Sequence, residues 1–215
     1  MLVTIKDVVI GLIYVAWVAI VTLKLSKIVA RKTNTYVARK FIHMAGGGVV
    51  AVTSPFLLTS PLIVIIASYL MMFYLLIVRF RKPMSWFQER GNMGEVFFSF
   101  SFGTILLLSW LLEPNFWHIG DKYLYVALLP LIFMSFGDGV TGIIRNLVYG
   151  RRFKGFWGSV GMLILTLPIG YFLLSVPGML SAILATAVEV LPFLDDNLSV
   201  SFFSFIFLYA AIRFA

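Results

Sequence analysis

The chain has 215 residues, of which 61% are hydrophobic and only 12% are charged, and its mean hydropathy is +1.00. This composition is typical of a polytopic membrane protein. The chain contains no cysteine, which excludes a disulfide framework and a thiolate metal site. The net charge of +8 would also fit a nucleic-acid binder, but the positions of the basic residues favour a membrane topology.

The sequence predicts an all-α fold, a polytopic transmembrane helix bundle of about eight helices that forms a single integral membrane domain over residues 1–215. A helix that spans a bilayer needs about 20 mostly apolar residues. Eight segments approach this length, and they are Val8–Leu23, Phe41–Leu58, Pro61–Val78, Val96–Leu112, Tyr123–Ile144, Trp157–Val176, Gly178–Leu191 and Leu198–Phe214. The seventh is short and has Glu189 near its end, so seven helices remain if it is only partly inserted.

Lysine and arginine are concentrated in the first, third and fifth loops between these segments. Of the 17 basic residues, only Lys6, Lys122 and Arg213 fall on the other side. Because cytoplasmic loops are enriched in Lys and Arg, we expect the three basic loops in the cytoplasm and both termini outside. We also expect the first segment to be retained rather than cleaved as a signal, since Lys6 and Asp7 precede a long apolar run. A short outer turn is predicted at Pro177-Gly178.

Most acidic residues fall at the cytoplasmic ends of the predicted helices. These residues are Glu89, Glu95, Asp138, Glu189, Asp195 and Asp196. A charge within lipid costs about 3 kcal/mol or more, so a residue such as Asp138 is usually kept for what it binds. Any chemistry is therefore expected at the cytoplasmic face.

The first polar motif contains Arg39, Lys40 and His43, followed by three glycines. On a helix, Arg39, His43 and Gly46 share one face. A histidine next to cations could contact a phosphate or transfer a proton. The alternative is an interfacial histidine that hydrogen-bonds a neighbouring helix, with the glycines serving close helix packing.

A second motif places Glu95, Ser99 and Gly103 along one helix face. The helix dipole favours a carboxylate at a helix N-terminus, and this explains Glu95 without any function. In the alternative, Glu95 faces the bundle as a catalytic group, a metal ligand or a partner of a basic loop.

The fifth segment has a polar stripe that contains Asp138, Thr141, Gly142 and Arg145. A direct structural pair between Asp138 and Arg145 is one interpretation, although two turns of helix separate them. The other is a site in which Asp138 binds a metal and Arg145 binds phosphate.

A basic loop follows this stripe and interleaves cations with glycines and aromatic residues. Its candidate phosphate-binding residues are Arg151, Arg152, Lys154 and Ser159. Arginine suits bidentate contacts with phosphate oxygens, and lysine serves as a point charge. An ordinary basic loop that touches anionic lipid is the alternative.

The fifth motif contains Glu189, Asp195, Asp196 and Asn197. Oxygen ligands of this kind suit Mg²⁺, which commonly bridges a protein carboxylate and substrate phosphates. The alternative is that Asp196 and Asn197 only cap the last helix.

Several other mechanisms are excluded by the motifs that the sequence lacks. It contains no P-loop, no kinase-type glycine-rich loop and no His-Glu-x-x-His motif. It has only two histidines, and His118 falls on the outer side, so a multi-histidine metal site is excluded.

Taken in order, these motifs resemble the polytopic CTP-dependent polyprenol kinases, the family of dolichol kinase and phytol kinase. The resemblance covers roughly residues 39–200, and each motif alone is weak. The matching motifs are Arg39-Lys40-x-x-His43-x-x-x-Gly47, Gly94-Glu95, Gly137-Asp138-Gly139, Gly150-Arg151-Arg152-Phe153, and Glu189 followed by Asp195-Asp196-Asn197.

The resemblance implies transfer of the γ-phosphoryl group of CTP to the hydroxyl of a long-chain isoprenoid alcohol of the dolichol, phytol or geranylgeraniol type. It implies Mg²⁺ or another divalent metal and a site at the cytoplasmic face. We expect Asp138 and one or both of Asp195 and Asp196 to hold the metal, with Glu189 and Asn197 beside them. The expected phosphate-binding residues are Arg39, Lys40, Arg145, Arg151, Arg152, Lys154 and Ser159. His43 is the candidate base, and Glu95 competes with it.

One position departs from the family pattern. Where the family reads approximately K-S-x-E-G-S, this chain has Lys154-Gly155-Phe156-Trp157-Gly158-Ser159, so Trp157 stands at the position of the acid.

Three alternatives to the function implied by this resemblance are a membrane cytidylyltransferase, a transporter and a nucleic-acid binder. A membrane cytidylyltransferase would also need a cytoplasmic site for metal and nucleotide, but it would make a CDP-lipid. A transporter would favour charges near the bilayer midplane and an internal repeat, and neither is found in the sequence. Because the topology explains the basic residues, we expect lipid alcohol, CTP and membrane lipids as partners and no nucleic acid.

Overall fold

The computed structural model describes residues 3–89, 91–150, 153–192 and 194–214. Within these ranges the chain is helical and contains no β-strand, which confirms the predicted all-α bundle. The helices are α1 (Ile5–Lys32), α2 (35–57), α3 (Leu62–Arg81), α4 (Gly94–Leu112), α5 (Lys122–Tyr149), α6 (156–173), α7 (176–189) and α8 (Asp196–Arg213).

Five helical stretches are long and apolar enough to cross a membrane, so the chain has the character of a membrane protein. They are Ile5–Lys32, Leu62–Arg81, Gly94–Leu112, Lys122–Tyr149 and Phe156–Glu189. The apolar part of α5 is 78% buried, whereas that of α1 and of α3 is only 17% buried. Thus α5 is the central helix, and α1 and α3 lie at the periphery with apolar side chains facing outward.

Helices α6 and α7 form a hairpin rather than one long rod. The helical pattern breaks at Leu174 and Ser175, and Ser175 has a positive φ of 50°. Pro177 lies in the first turn of α7, where its missing N–H costs no hydrogen bond. The predicted turn at Pro177-Gly178 therefore lies a few residues earlier, at 174–175. The two arms approach so closely at Gly170 and Gly178 that a Cβ on Gly178 would lie 2.6 Å from the Gly170 carbonyl carbon.

Three helices contain a wide π-helical turn, at Val21–Leu25 in α1, His43–Gly48 in α2 and Phe133–Gly137 in α5. Such a turn inserts one extra residue, leaves backbone groups to be bonded elsewhere and often lies at a functional site. In α2 the indole N–H of Trp17 donates to the Ala45 carbonyl at 2.8 Å. The turn in α2 begins at His43, and the turn in α5 ends immediately before Asp138.

The polar residues at the two ends of the bundle differ in kind. At one end Asp7, which is fully buried, accepts hydrogen bonds from Thr4 and from the backbone N–H of Thr59 at 2.7 Å. The termini of five helices meet at the other end, together with most of the predicted site residues. These helices are α2, α5, α6, α7 and α8. The fold thus brings residues distant in sequence to one end.

We predict that Gly178→Ala destabilises the protein by about 1–3 kcal/mol, because the added methyl group overpacks the contact with the Gly170 backbone. The matched control is Gly46→Ala, whose Cβ would meet no heavy atom closer than 3.9 Å. The control should keep or slightly raise stability, since alanine favours helix more than glycine does. Thermal unfolding in detergent micelles measures both variants, and equal melting temperatures would contradict the close packing of α6 on α7.

Candidate functional site

Three ion pairs lie together in the interior of the bundle. The ammonium group of Lys40 on α2 is 2.6 Å from both carboxylate oxygens of Asp138 on α5. The guanidinium of Arg145 on α5 donates two hydrogen bonds, of 2.5 and 2.8 Å, to Glu189 on α7. Lys154, in the loop before α6, lies 2.7 Å from Asp196 on α8. We call these six residues the ionic cluster.

Two glycines make room for the cations of the ionic cluster. A Cβ on Gly142 would lie 2.6 Å from the Cε atom of Lys40. A Cβ on Gly158 would lie 2.6 Å from the Nε atom of Arg145. In each case the missing side chain lets the stem of a long cation cross a helix surface and reach an acid on another element.

The three acids of the ionic cluster come close to one another. One carboxylate oxygen each from Asp138, Glu189 and Asp196 lies within 4.8 Å of the others, and all three residues are buried. Three carboxylates at this spacing are the donor set that a divalent cation prefers. With three cations beside them the ionic cluster has no formal net charge, which is what burial of so many charges requires.

Lys154 also ties the basic loop to the end of α7. Its three N–H groups donate to the carbonyl oxygens of Glu189 and Leu191, at 2.7 and 2.6 Å, and to Asp196. The donors of this ammonium group are thus all used, and the loop is fixed against the ionic cluster.

Among the members of the ionic cluster that lie outside the five long apolar helices, Lys40 and Asp196 have shifted pKa values. Burial favours the neutral amine of Lys40, but the charges of Asp138, Tyr36 and Asp196 and the hydrogen bond to Asp138 together outweigh burial and raise the pKa of Lys40. Burial also raises the pKa of Asp196, and Asp138 raises it further, while Lys40 and Lys154 act in the opposite direction. Lys40 therefore stays cationic, and Asp196 holds a proton more readily than an exposed aspartate does.

Asp195 and Asn197 do not join the three acids, although the sequence suggested one ligand set for all of them. Asp195 is the N-cap of α8 and accepts a hydrogen bond from the Asn197 backbone N–H at 3.0 Å. The Asn197 side chain donates to the Gly94 carbonyl at 3.0 Å and so joins α8 to α4. The cap proposed for Asp196 and Asn197 is thus supplied by Asp195, and Asp196 is left to pair with Lys154.

The suggested direct pair between Asp138 and Arg145 is wrong. Each residue has another partner, Lys40 for Asp138 and Glu189 for Arg145. The two residues lie seven positions apart, about 10 Å along the helix axis, which is too far for a direct contact.

Arg39 and Glu95 belong to a second polar group beside the ionic cluster. Arg39 donates to Glu89 at 3.2 Å and to Asn92 at 3.1 Å. Glu95 pairs with Arg79 at 3.3 Å and accepts from Gln88 at 3.2 Å. The sequence did not single out Arg79, Gln88 or Asn92, because nothing in their spacing connects them with Glu95 or Arg39.

His43 is 2% exposed, and its ring stacks on Phe98 with 4.1 Å between ring centroids. Neither ring nitrogen has a hydrogen-bond partner in the part of the chain that the structure describes. The same is true of the Oε2 atom of Glu95. Both residues line a largely apolar cavity of about 140 Å³ between α1, α2, α3 and α4. No sequence pattern indicated this cavity.

The remaining predicted residues lie near the start of α6 or outside the described ranges. Arg151 and Arg152 fall outside the described residues. Ser159 is half-buried in the first turns of α6. Trp157, which stands where the family pattern has an acid, is 54% exposed on the surface of α6. The acids of the ionic cluster therefore come from α5, α7 and α8 and not from α6.

The chain was compared with protein-family models, with curated proteins and with solved structures, and none of them matches it.

We predict that Glu189→Leu destabilises the protein by about 3–5 kcal/mol, because it leaves the buried guanidinium of Arg145 without its carboxylate. The double variant Glu189→Leu with Arg145→Met should recover most of this loss, since an apolar pair of similar volume needs no charge compensation. Unfolding in detergent micelles measures both variants. Arg213→Met, which removes an exposed pair with Glu113, is the control and should change little. If the double variant is no more stable than the single variant, the ion pair is not the cause.

Proposed function

We propose that this protein is a lipid-alcohol kinase. It transfers the γ-phosphoryl group of CTP to the hydroxyl of a long-chain isoprenoid alcohol of the dolichol, phytol or geranylgeraniol type. The observation that carries this proposal is the ionic cluster itself, in which three buried acids, two buried cations and the half-buried Lys154 lie beside a cavity that holds His43. A triphosphate with its divalent metal needs both signs of charge in one place.

The donor set of the ionic cluster fits a divalent metal. Asp138, Glu189 and Asp196 offer hard oxygen ligands within 4.8 Å of one another, as Mg²⁺ requires. When bound, Mg²⁺ would supply positive charge to the oxygens that the transfer makes more negative. Without metal and nucleotide, each acid is neutralised by a cation of the cluster.

The cations of the cluster would then change partners. Lys40, Arg145 and Lys154 would turn from the carboxylates to the phosphate oxygens, and the metal would compensate the carboxylates in their place. Arginine can hold two phosphate oxygens at once, and lysine serves as a point charge. Phosphoryl transfer depends mainly on such positioning and on neutralised charge.

His43 is the group best placed to accept or orient the hydroxyl proton of the alcohol. It lies three residues after Lys40 on α2, one turn further into the bundle, and its nitrogens are unpartnered among the described residues. A proton acceptor of this kind contributes about 10²–10⁴-fold to a rate. Glu95 competes for the role, but Arg79 and Gln88 already engage its Oε1 atom.

The same proposal includes the membrane orientation. With both termini outside, the ionic cluster lies toward the cytoplasm, where CTP is available. The positive-inside distribution of Lys and Arg supports this orientation.

We predict that purified protein, CTP, Mg²⁺ and a panel of isoprenoid alcohols yield a lipid monophosphate and CDP, identified by mass. Asp196→Asn should lower the rate by about 10²–10³-fold, because it removes one of the charges that the site requires. Asp195→Asn is the matched control. It should keep most of the activity, since asparagine caps a helix as well as aspartate does.

Other results of this assay would contradict different parts of the proposal. A CDP-lipid with pyrophosphate as products would show a cytidylyltransferase. No product from any alcohol with CTP or ATP would overturn the kinase. Equal losses in Asp195→Asn and Asp196→Asn would show that the acid cluster has no special part in the reaction.

Single-cysteine variants test this orientation, because the chain has no cysteine of its own and each variant therefore carries one thiol. Thr33→Cys and His118→Cys place exposed thiols at opposite ends of the bundle. In intact cells a membrane-impermeant maleimide should label His118→Cys at once and Thr33→Cys only after permeabilisation. The reverse result would put the ionic cluster outside and would contradict the orientation.

A further inference from the structure

The cavity between α1, α2, α3 and α4 has an apolar wall and a polar inner end. Its charged lining residues, Arg39 and Glu95, and His43 come from the same end of the bundle as the ionic cluster, and the other titratable lining residue, Tyr14, has its hydroxyl paired with Thr53 at 2.8 Å. Elsewhere the lining is mainly aliphatic and aromatic, and the hydroxyls of Ser68 and Ser99 already donate to backbone carbonyls. The cavity therefore suits an amphiphile with a small polar head.

The cavity opens at the periphery of the bundle. Val15 on α1 lines the cavity and is 53% exposed, so the cavity is not sealed at that helix. Ala67, on the facing side of α3, lines the cavity as well and is half-buried. Because α1 and α3 are the least buried of the long helices, this opening leads to the surface that faces lipid.

Some polar atoms at the inner end of the cavity have no hydrogen-bond partner among the described residues, and these atoms indicate which head group would bind there. Both nitrogens of His43 and the Oε2 atom of Glu95 are buried and without hydrogen-bond partners within the described ranges. A neutral histidine offers one donor and one acceptor. A hydroxyl supplies the complementary acceptor and donor and brings no charge into an apolar cavity. A buried polar group without such a partner costs about 1–3 kcal/mol.

The volume of the cavity limits how much of a lipid it encloses. An apolar cavity of about 150 Å³ holds benzene, roughly six carbon atoms. The present cavity, at about 140 Å³, therefore accommodates about one isoprene unit. The rest of a long tail has to pass between α1 and α3.

From these observations we propose that the cavity binds the first isoprene unit of a single-chain lipid alcohol, with its hydroxyl on His43, and leaves the remaining tail in the bilayer. This inference rests on the proposed kinase function and names how the acceptor is chosen. The protein selects the head of the alcohol and does not measure the length of its tail.

The test uses photoreactive isoprenoid alcohols with a diazirine on the first isoprene unit and tails of different lengths. The full-length protein in lipid nanodiscs is illuminated without CTP or Mg²⁺, and the labelled residues are mapped by mass spectrometry. We expect label on cavity residues such as Phe98 and Met71, in equal amount for all tail lengths at equal mole fraction in the membrane. Label outside the cavity, or a strong dependence on tail length, would overturn the inference.

Matched variants make the result specific. Ala67→Phe fills the cavity from α3 and should lower labelling on the order of tenfold, equivalent to about 1.4 kcal/mol of binding. Leu70→Phe adds a ring to the same helix at a position that is 64% exposed and outside the lining, and it should label normally. His43→Phe keeps a ring on Phe98 but removes both nitrogens, and its labelling should also fall. Equal labelling of Ala67→Phe and Leu70→Phe would contradict the assignment.

A second variant tests the cavity if Ala67→Phe does not fold. If Ala67→Phe aggregates on size exclusion, Gly46→Ala adds a smaller group to the lining, and its Cβ would have neighbours only at 3.9 Å. Reduced labelling of that variant is then the supporting result, and unchanged labelling the contrary one. Because labelling needs no nucleotide, the two proposals fail separately. Phosphorylated product with label elsewhere overturns only the cavity, and cavity label without phosphorylated product overturns only the kinase.

Discussion

Charge neutrality inside the bundle is the constraint on which the rest of this structure depends. Three carboxylates that approach within 4.8 Å of one another away from water would be prohibitively costly without compensation. Lys40, Arg145 and Lys154 supply that compensation one to one. Their partners lie on other elements, so the pairs also fix α2 against α5, α5 against α7, and the basic loop against α8.

Two glycines make this charge pairing sterically possible. Gly142 and Gly158 lack side chains where the stems of Lys40 and Arg145 cross the surfaces of α5 and α6. Stability alone is a weak reason to keep such an arrangement, because buried ion pairs are often replaced by apolar residues at no cost. The metal and phosphates of the proposed substrate would give the chain a reason to keep a network of three pairs, with space made for its cations.

Much of the fold could be predicted from the sequence, because a spanning helix needs only length and apolar composition. Each of the eight predicted segments corresponds to a helix, including the short seventh one, which is α7. The turn between α6 and α7 was placed a few residues late, since proline marks the first turn of a helix as readily as a loop. The proximity of Asp138, Glu189 and Asp196 was also accessible, because counting helices put all three at the same end.

The partners of each charged residue could not be predicted from the sequence in this way. Lys40 and Asp138 are 98 residues apart, and Arg145 and Glu189 are 44 residues apart, so no local spacing connects them. A direct pair of Asp138 with Arg145 was only one alternative from the sequence, since the two residues share a stripe of α5 but lie two turns apart. The π-helical turns in α2 and α5 add a further obstacle, since an inserted residue changes which side chains face the same neighbour.

Helix α2 connects the two halves of the candidate site. Lys40 faces the ionic cluster, and His43, three residues later, lines the apolar cavity. Three residues of helix advance about 4.5 Å along the axis, so the ends proposed to bind phosphate and alcohol lie about one turn apart. The wide turn that begins at His43 rotates the following residues relative to Lys40. Helix α2 thus serves two compartments of different polarity. In the proposed reaction, the charged nucleotide and the apolar alcohol would meet within about one turn of this helix, each held in a compartment that suits its polarity.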